Sequence, residues 1–554
     1  MKQNLIIKKL PLQNMENIRL VKRITEEIEK LMLFTEKQIS SPASAHEIEK
    51  GLFEQLLDLG HTLLVYTLES KIADYKKRSD YAESLKDLRY KGDEKCDYLS
   101  LFGNLVLTRP SYWSKDLGKI HPSDRHLSLP TTSSWSYVLE ELVGESAAEC
   151  DFKESIRLLN KLLNLGLSGK SSERNAIRLG SLVELFYESK EKVKEKVKEE
   201  AKEEAKEEVK EEVKEEVKEE VKEEVKEEAK EEAKEEQGIY CSASFDGKGV
   251  PKIKPAQIGD VKSNPKKRLS KGEKKGIMEM ATVSVTSTFM PKNRDVDSII
   301  RSLMGSPLSK LSKMEVIGKG EVKLEKPQQD NKWHKDIHRR AYLANQQKAV
   351  EYGLDRVKQN MINPQSRFVV PIDAGIGLED KVLEWVTNNL MEKHFDGIIL
   401  DIIHVSEYVW DAATAIFGEK SQYKTTWVKQ MLIDLLNSET QQVIEDLQLI
   451  VNKSNLGQSK QAQVEKTIKY FTNHAHKMDY KTFIKKGYPV SSALVESACG
   501  HLVKERMEQS GMRWSSTGAQ NVMDIRAVKL NDDITDFMAF RIKTEQDSVF
   551  KWAA

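Results

Sequence analysis

From Lys190 to Glu236 the chain is built on a four-residue repeat, Lys-Glu-Glu-Val or Lys-Glu-Glu-Ala. Every residue type in it except Val is a strong helix former. Each Glu that directly follows a Lys lies three residues before the next Lys, as Glu203 does before Lys206, a spacing that favours ion pairing along a helix. Positions four apart are identical and so repel. The Val/Ala positions advance by about 400° per repeat, so they wind around the helix and give no fixed seam, which makes a coiled coil the weaker reading. The expectation is a solvated helical spacer about 70 Å long, with no chemistry of its own. It separates a largely helical N-terminal part from a C-terminal part of mixed character.

The tract also hides a charge. It holds 14 Lys and 22 Glu, a net of −8, while the whole chain of 554 residues has 88 basic and 88 acidic side chains; everything else therefore sums to +8. A basic protein with an acidic insert points toward nucleic acid as a partner. At about 150 residues per domain the length suggests three or four domains. An apolar content of 39% with 28 Gly leaves room for sizeable cores and excludes a collagen-like chain. The cysteines, Cys96, Cys150, Cys241 and Cys499, form no C-x-x-C pair, so zinc-finger and thioredoxin-type motifs are not expected and reduced thiols in the cytoplasm are. Met1–Leu10 lacks the apolar core of a signal peptide, and no run approaches the length of a membrane span, so no membrane partner is expected.

Residues 17–85 carry apolar residues at helical spacing (Ile24, Ile28, Leu31; Leu56, Leu57, Leu63, Leu64). Tyr98–Arg109 reads instead as a hairpin, two short strands flanking Gly103-Asn104. Further on, Phe152–Leu163 is helical, Asn164-Leu165-Gly166-Leu167-Ser168 is a turn, and a second helix runs from about Gly169 to Tyr187 with Ser168 as its cap. That is the helix-turn-helix pattern. The second helix carries Lys170, Arg174, Asn175 and Arg178, residue types that hold phosphates or read base edges. An ordinary helical hairpin with a solvated basic face is the alternative.

Beyond Gly238 strands and helices alternate, as an α/β or α+β core requires. Ile239–Phe245 reads as a strand ending at Asp246. A basic loop follows at 251–275, then a strand at Ile277–Phe289. Arg367–Ile372 is an apolar strand ending at Asp373, Gly377–Met391 an amphipathic helix, Gly397–Ile403 a strand and Val405–Phe417 a helix. Residues 425–480 are helical, and Ser491–Gln509 forms a last strong helix bearing Glu496. His334 and His338 are read on one helix face, without the Glu that a zinc protease site needs. Carboxylates at the ends of neighbouring strands point into one cleft. Three of them suit two hard divalent cations at the spacing that clamps an in-line phosphoryl displacement. Spacing alone does not connect Asp246 to Glu496.

The chain resembles the bacterial insertion-sequence transposases of the ISKra type, within the Mutator-like group of DDE transposases. The resemblance runs from about residue 50 to 530, interrupted by the repeat. It rests on Gly487-Tyr488-Pro489-Val490-Ser491-Ser492-Ala493-Leu494-Val495-Glu496-Ser497-Ala498-Cys499 and its continuation to Trp514, on Leu400-Asp401-Ile402-Ile403-His404-Val405, on Ser244-Phe245-Asp246-Gly247-Lys248-Gly249-Val250-Pro251, and on Tyr98–Gly103 with Leu105–Trp113. It implies an RNase H-like catalytic core with an α-helical insertion before the glutamate. Asp246, Asp373 and Glu496 are then the catalytic acids and the ligands of two Mg²⁺ or Mn²⁺ ions. Asp401 and His404 match the family's Asp/Cys-x-x-His motif, with His404 contacting a phosphate or supporting a metal ligand. The family usually has Asp-Gly at the second acid; this chain has Asp373-Ala374-Gly375, which keeps Asp401 as the fallback.

The expected organisation is an N-terminal helical region with a β-hairpin (1–134), a helix-turn-helix DNA-binding segment (135–188), the spacer (189–237), the first part of the core (238–418), the helical insertion (419–488), and the rest of the core with the tail (489–554). Lys504, Arg506 and Arg513 are candidates for DNA phosphates near the acids. The implied activity is cutting of element ends and transfer of 3′-OH ends to target DNA. A nuclease without strand transfer, or a DNA-binding protein with a decayed core, are the alternatives. The implied partners are element-end and target DNA and, when DNA-bound, further copies of the chain, in the cytoplasm at the nucleoid.

Overall fold

The computed structural model describes residues 15–78, 85, 88–115, 118–193, 238–253, 277–304, 333–361, 363–375, 377–453 and 456–549. They fall into two units, Met1–Val197 with Asp532–Ala554, and Lys198–Asn531. The repeat beyond residue 193 and most of the basic loop 251–275 lie outside the described residues.

The first unit opens with helices α1 (Met15–Ile39) and α2 (Ala45–Tyr75). Ser44 caps α2 through a capping box: its Oγ accepts from the Glu47 amide at 3.4 Å, and the Glu47 carboxylate accepts from the Ser44 amide at 2.8 Å. A three-stranded antiparallel sheet follows, β1 (Arg89–Ser100), β2 (Gly103–Ser114) and β3 (Gly118–Ile120). The hairpin is present, but its turn is Leu101-Phe102 and not Gly103-Asn104, because Ser100 pairs with Gly103. Tertiary packing explains the shift. The Phe102 ring sits on Gly60 of α2, where a Cβ would lie 2.5 Å from it, so the apolar turn is covered from one side. Gly103 takes the positive φ of +101° that the turn demands.

After a short helix α3 (Pro122–Leu127) come α4 (Tyr137–Glu149), α5 (Glu154–Leu163) and α6 (Gly169–Gly180). The α5–α6 turn lies where the sequence puts it, with Asn164 and Gly166 at φ of 51° and +64°. Ser168 accepts from the Ser171 amide at 3.1 Å. The second helix stops at Gly180, and helix resumes only at residue 183. The C-terminal helix Ile534–Val549 belongs to this unit and not to the core to which the sequence assigned 489–554. The cause is a buried charge network. Arg541 pairs with Glu140 of α4 at 3.3 Å and with Glu545, and Glu545 accepts from both Thr131 and Thr132.

The second unit is a mixed five-stranded sheet with helices on both faces. Its strands are β4 (Tyr240–Lys252), β5 (Ile277–Phe289), β6 (His334–Leu343), β7 (Arg367–Ile372) and β8 (Phe395–Leu400), in the order β6-β5-β4-β7-β8. β4, β5 and β6 are antiparallel neighbours; β7 runs parallel to β4 and β8 parallel to β7. β7 is apolar without a break because both its faces are covered. Phe368, Val370 and Ile372 pack with Phe245 of β4 and with helices α7 (Gln346–Lys358) and α8 (Leu378–Asn388). On the other face Val369 and Ile399 pack with α9 (Ile402–Phe417) and with the helical segment α10 (Tyr423–Leu436), α11 (Thr440–Lys453) and α12 (Gln458–His474).

Two expectations fail in this unit. His334 and His338 lie on strand β6, where neither is available as a ligand. His334 Nδ1 is 2.9 Å from Ser287 Oγ, and His338 Nε2 is 2.7 Å from Tyr352 Oη. The helix drawn from Ser491 to Gln509 is instead α13 (Ala493–Ala498), a π-helical turn at Cys499–Lys504 and a short helical turn at Glu505–Met507. The final helix of the unit is α14 (Ser516–Leu530).

Candidate active site

Strand register puts three acids level with one another. Ser242 of β4 pairs with Val369 of β7, and Ile372 of β7 pairs with Leu400 of β8. Counting four residues on along β4 and β7 brings Asp246 level with Asp373, and one further step along β8 brings in Asp401. The three acids thus form a row across three adjacent parallel strands. Asp373 stands just past a strand end, as the sequence indicates; Asp401 does too, although the sequence reading has it inside a strand running to Ile403, because β8 ends at Leu400. Asp246 does not: β4 continues through it and stays paired with β5 as far as Lys252.

Asp401 is fully buried and serves as the N-cap of α9. One carboxylate oxygen accepts from the Ile403 amide at 2.8 Å and the other from the Ser492 hydroxyl. Its own amide donates to the Ile372 carbonyl at 2.9 Å, which ties β8 to β7 at this point. Tyr480 donates to the Leu400 carbonyl at 2.8 Å from behind. Glu496 arrives on the first turn of α13. Its Oε1 lies 3.5 Å from His404 Nε2 and makes no hydrogen bond although it is buried. Ligand atoms of Asp401, His404 and Glu496 fall within 4.8 Å of one another.

The electrostatics show how closely these groups share one field. Burial pushes Glu496 up to about 7, and the negative charge of Asp401 adds to it. Asp373 is raised by burial and by Asp246 and Asp401, against the hydrogen bond from the Gly375 amide and the nearby His404. For His404, burial favours the neutral ring, but Asp401, Glu496 and Glu407 outweigh it and raise its pKa. Burial also raises the Cys499 thiol, which shares a hydrogen bond with Asp246.

Asp401, Glu496 and the His404 imidazole could together offer ligand atoms to a divalent cation, and one buried Glu496 oxygen lacks a hydrogen-bond partner. Cys499 and Ser492 were not among the sequence candidates, yet both touch the acids. Their spacing was a usable signal: they lie three residues after and four before Glu496, the offsets that share a helix face.

The candidate DNA contacts divide by exposure. Lys504 and Arg513 are exposed. Arg506 is not a surface cation as the sequence reading had it. It is buried, its guanidinium 4.8 Å from the centre of the Trp514 ring and its Nη1 3.0 Å from Met512 Sδ, because the π turn rotates it inward. In the first unit Lys170 and Arg174 are exposed on α6. Asn175 and Arg178 are not presented to solvent in the same way. The Asn175 amide donates to the Glu140 carbonyl at 2.8 Å, and Arg178 pairs with the Glu140 carboxylate and bonds Asn175 Oδ1 at 3.0 Å. These two hold α6 against α4.

No described helix is long and apolar enough to cross a membrane. No protein-family model matches the chain, and no curated protein matches it.

Proposed function

We propose that the chain is a DDE transposase of an insertion sequence, of the ISKra type in the Mutator-like group, which cuts element ends and joins their 3′-OH ends to target DNA. The observation that carries the reading is the row of Asp246, Asp373 and Asp401 across three parallel strands, faced by Glu496 from a helix that follows an all-helical segment. Three antiparallel strands, then two parallel strands on the other side of the first, with helices on both faces, are what an RNase H-like core with an α-helical insertion requires. Three of the four sequence motifs of the resemblance fall on the same elements; the fourth, Tyr98–Trp113, is the hairpin of the first unit.

Asp246, Asp373 and Glu496 would hold two Mg²⁺ or Mn²⁺ ions, whose charge stabilises the attacking and leaving oxygens of an in-line displacement at phosphorus. The chain's own residues position and balance that site. Asp401, locked by Ser492 and the Ile403 amide, fixes the turn from β8 into α9 and so aims His404 at Glu496. His404, whose pKa Asp401, Glu496 and Glu407 raise against burial, stands with its Nε2 beside Glu496, where it would offer a counter-charge to a scissile phosphate when protonated. Cys499 covers Asp246 from the helix side. Lys504 and Arg513 supply exposed positive charge close in sequence to Glu496 for the DNA backbone, and Lys170 and Arg174 on α6 serve end recognition.

The test is incubation with duplex DNA bearing the element's terminal inverted repeats. Mg²⁺-dependent nicking at the ends together with joined products supports transposition. Nicking without joined products supports a nuclease. End binding without nicking in Mg²⁺ or Mn²⁺ would refute catalysis.

A further inference from the structure

We propose that the first unit holds a second binding site, a cavity beside the β1–β3 sheet that takes a single nucleobase and keeps its phosphate on the rim. The site lies in a different unit from the acids and does not depend on their chemistry. The cavity measures about 380 Å³, within the range of small-ligand sites. Cys96 of β1, Arg109 of β2, Lys119 of β3, His121 and Asp124 at the start of α3, and Ser134 line it. The segment that closes it is fixed from outside, since Glu545 accepts from the Thr131 and Thr132 amides.

The charges of the lining are already matched. The Arg109 guanidinium pairs with Asp124, and Lys119 Nζ and His121 Nε2 lie 2.6 and 3.2 Å from the same Glu94 oxygen. Burial and the nearby Arg109 lower the His121 pKa, so that ring is neutral at pH 7. No positive charge of the lining stands without its own acid, which disfavours a free anion inside, and Arg109 and Lys119 disfavour a cation. The interior suits a neutral polar group. Its hydrogen-bonding capacity is incomplete in one place. The Arg109–Asp124 fork is closed on one side only: Arg109 Nε and Asp124 Oδ1 are buried without a partner, and the Asp124 side chain is only 9% exposed. A donor and an acceptor left open in one ion pair match an edge that carries an acceptor beside a donor, as a nucleobase does. Both atoms are screened from water, so the pair gains these bonds when it turns toward a ligand in the cavity.

The rim supplies what the rest of a nucleotide needs. Alternate residues of a strand share a face, so Arg109 and Trp113 of β2 lie on the same side of the sheet. Trp113 pairs in register with Lys119 on β3 and with Arg89 on β1. Its ring is 43% exposed. The bulge between Tyr90 and Gly92 places Lys91 Nζ 5.9 Å from the centre of that ring. An exposed aromatic among Arg89, Lys91 and Lys119, next to a neutral polar cavity, fits a base inside, its phosphate on the cations and a neighbouring base on the Trp113 face. The base comes either from a free nucleotide or from a DNA strand that extrudes it.

The test uses the full chain with three probes: the four deoxynucleoside monophosphates, a DNA duplex with one unpaired base, and the same duplex fully paired. Occupancy is read as the rate at which N-ethylmaleimide alkylates Cys96, half-buried in the cavity wall. Cys150, half-buried outside the lining with its thiol on the Ser146 carbonyl, is the internal reference. With a monophosphate or the unpaired-base duplex at about ten times its dissociation constant, Cys96 should react about tenfold more slowly and Cys150 at its free rate. Protection by a monophosphate supports the site with a free nucleotide as ligand; protection by the unpaired-base duplex alone supports it with an extruded base. Binding of the protecting probe, by equilibrium dialysis or anisotropy, should weaken about tenfold in Trp113→Ala and by more in Cys96→Phe, which fills the cavity, with circular dichroism reporting the fold. No protection of Cys96 by any probe, equal protection by the paired duplex, or a folded Cys96→Phe chain that binds like wild type overturns the proposal. Should Cys96→Phe fail to fold, unchanged binding by Trp113→Ala overturns it instead. None of these outcomes bears on Mg²⁺-dependent nicking, which tests the acids.

Discussion

Replacing Glu545 by Gln should cost the first unit about 3 kcal/mol at neutral pH, and the cost should shrink as the solution is acidified. The side chain is only 5% exposed. Its Oε1 accepts from the Thr131 and Thr132 amides at 2.9 and 2.8 Å and from their hydroxyls at 2.8 and 2.9 Å. Its Oε2 accepts from the Tyr137 hydroxyl at 2.8 Å and pairs with Arg541. Burial alone would raise the carboxyl pKa, but these donors overcome it and hold the group at about 2. A drop of about 2.5 units from the ordinary value, at 1.36 kcal/mol per unit, gives about 3 kcal/mol in favour of the folded state when the carboxyl is charged in both states.

The sign follows from the depressed pKa. The contribution is complete above about pH 4.5 and is lost as pH falls through about 2, leaving about 1.4 kcal/mol at pH 3. Arg541 keeps Glu140 as a partner at 3.3 Å in the variant, so no second buried charge is stranded. The assay is urea unfolding of the full chain at pH 7 and pH 3. A hydrogen-exchange pulse under one common condition then reports peptides covering 129–149 and 534–549. The gap between wild type and Glu545→Gln should more than halve from pH 7 to pH 3. Equal unfolding midpoints at pH 7, or a gap that does not change with pH, would refute the reasoning and the assignment of the C-terminal helix to this unit.

Asp246→Asn, Asp373→Asn and Glu496→Gln should each lower cleavage by about 10³-fold or more while end binding survives in gel shifts. Cleavage retained by Asp373→Asn and lost in Asp401→Asn would transfer the second role to Asp401. On α6, Arg174→Ala should relax sequence preference with little change in stability, and Lys170→Ala should weaken binding to all sequences and reduce the salt slope by about one. Asn175→Ala should instead destabilise the first unit by about 1 kcal/mol, measured by urea unfolding, because it removes the buried hydrogen bonds that Asn175 makes to the Glu140 carbonyl and Arg178. Deleting four whole tetrapeptides between Lys194 and Lys234 should leave thermal unfolding of both units unchanged; loss of soluble expression would show that the repeat packs against something.

The parts of the fold that could be read in the sequence are those set by local chemistry. The unbroken apolar run of β7 and the Ser168 cap give patterns that tertiary contacts do not override; the alternation of β5 marks it correctly as a strand, but Ala281–Ser287 are buried on both faces. What could not be read depends on distant partners. The hairpin turn moved because Gly60 leaves room for the Phe102 ring, and Asn175 was read as a base reader because its partner, Glu140, is 35 residues away. Arg506 was misplaced because the π turn shifts the helical phase just before it. Asp246 read as a strand end because Gly247 and Gly249 look like a turn; pairing with β5 keeps them extended. At the candidate site the acids themselves could be identified, but not their mutual placement, since only the registers of β4, β7 and β8 bring residues so far apart in sequence into one row.

That row makes little sense as a structural device. Asp401 is fully buried with a second carboxylate, Glu496, close enough that burial and its charge push Glu496 up to about 7. Asp373 is raised by burial and by Asp246 and Asp401. Like charges gathered in a partly buried cleft oppose folding, and a chain selected for stability alone would replace one with a neutral side chain. Instead the surroundings restrain the strain without removing it. The N-terminus of α9 and the Ser492 hydroxyl stabilise Asp401, His404 offsets Glu496, and the Gly375 amide supports Asp373. Glu496 Oε1, though buried, has no hydrogen bond. Supports that keep several acids together while compensating only part of their charge are what a site needs if the remaining counter-charge comes from outside the chain, as bound cations do.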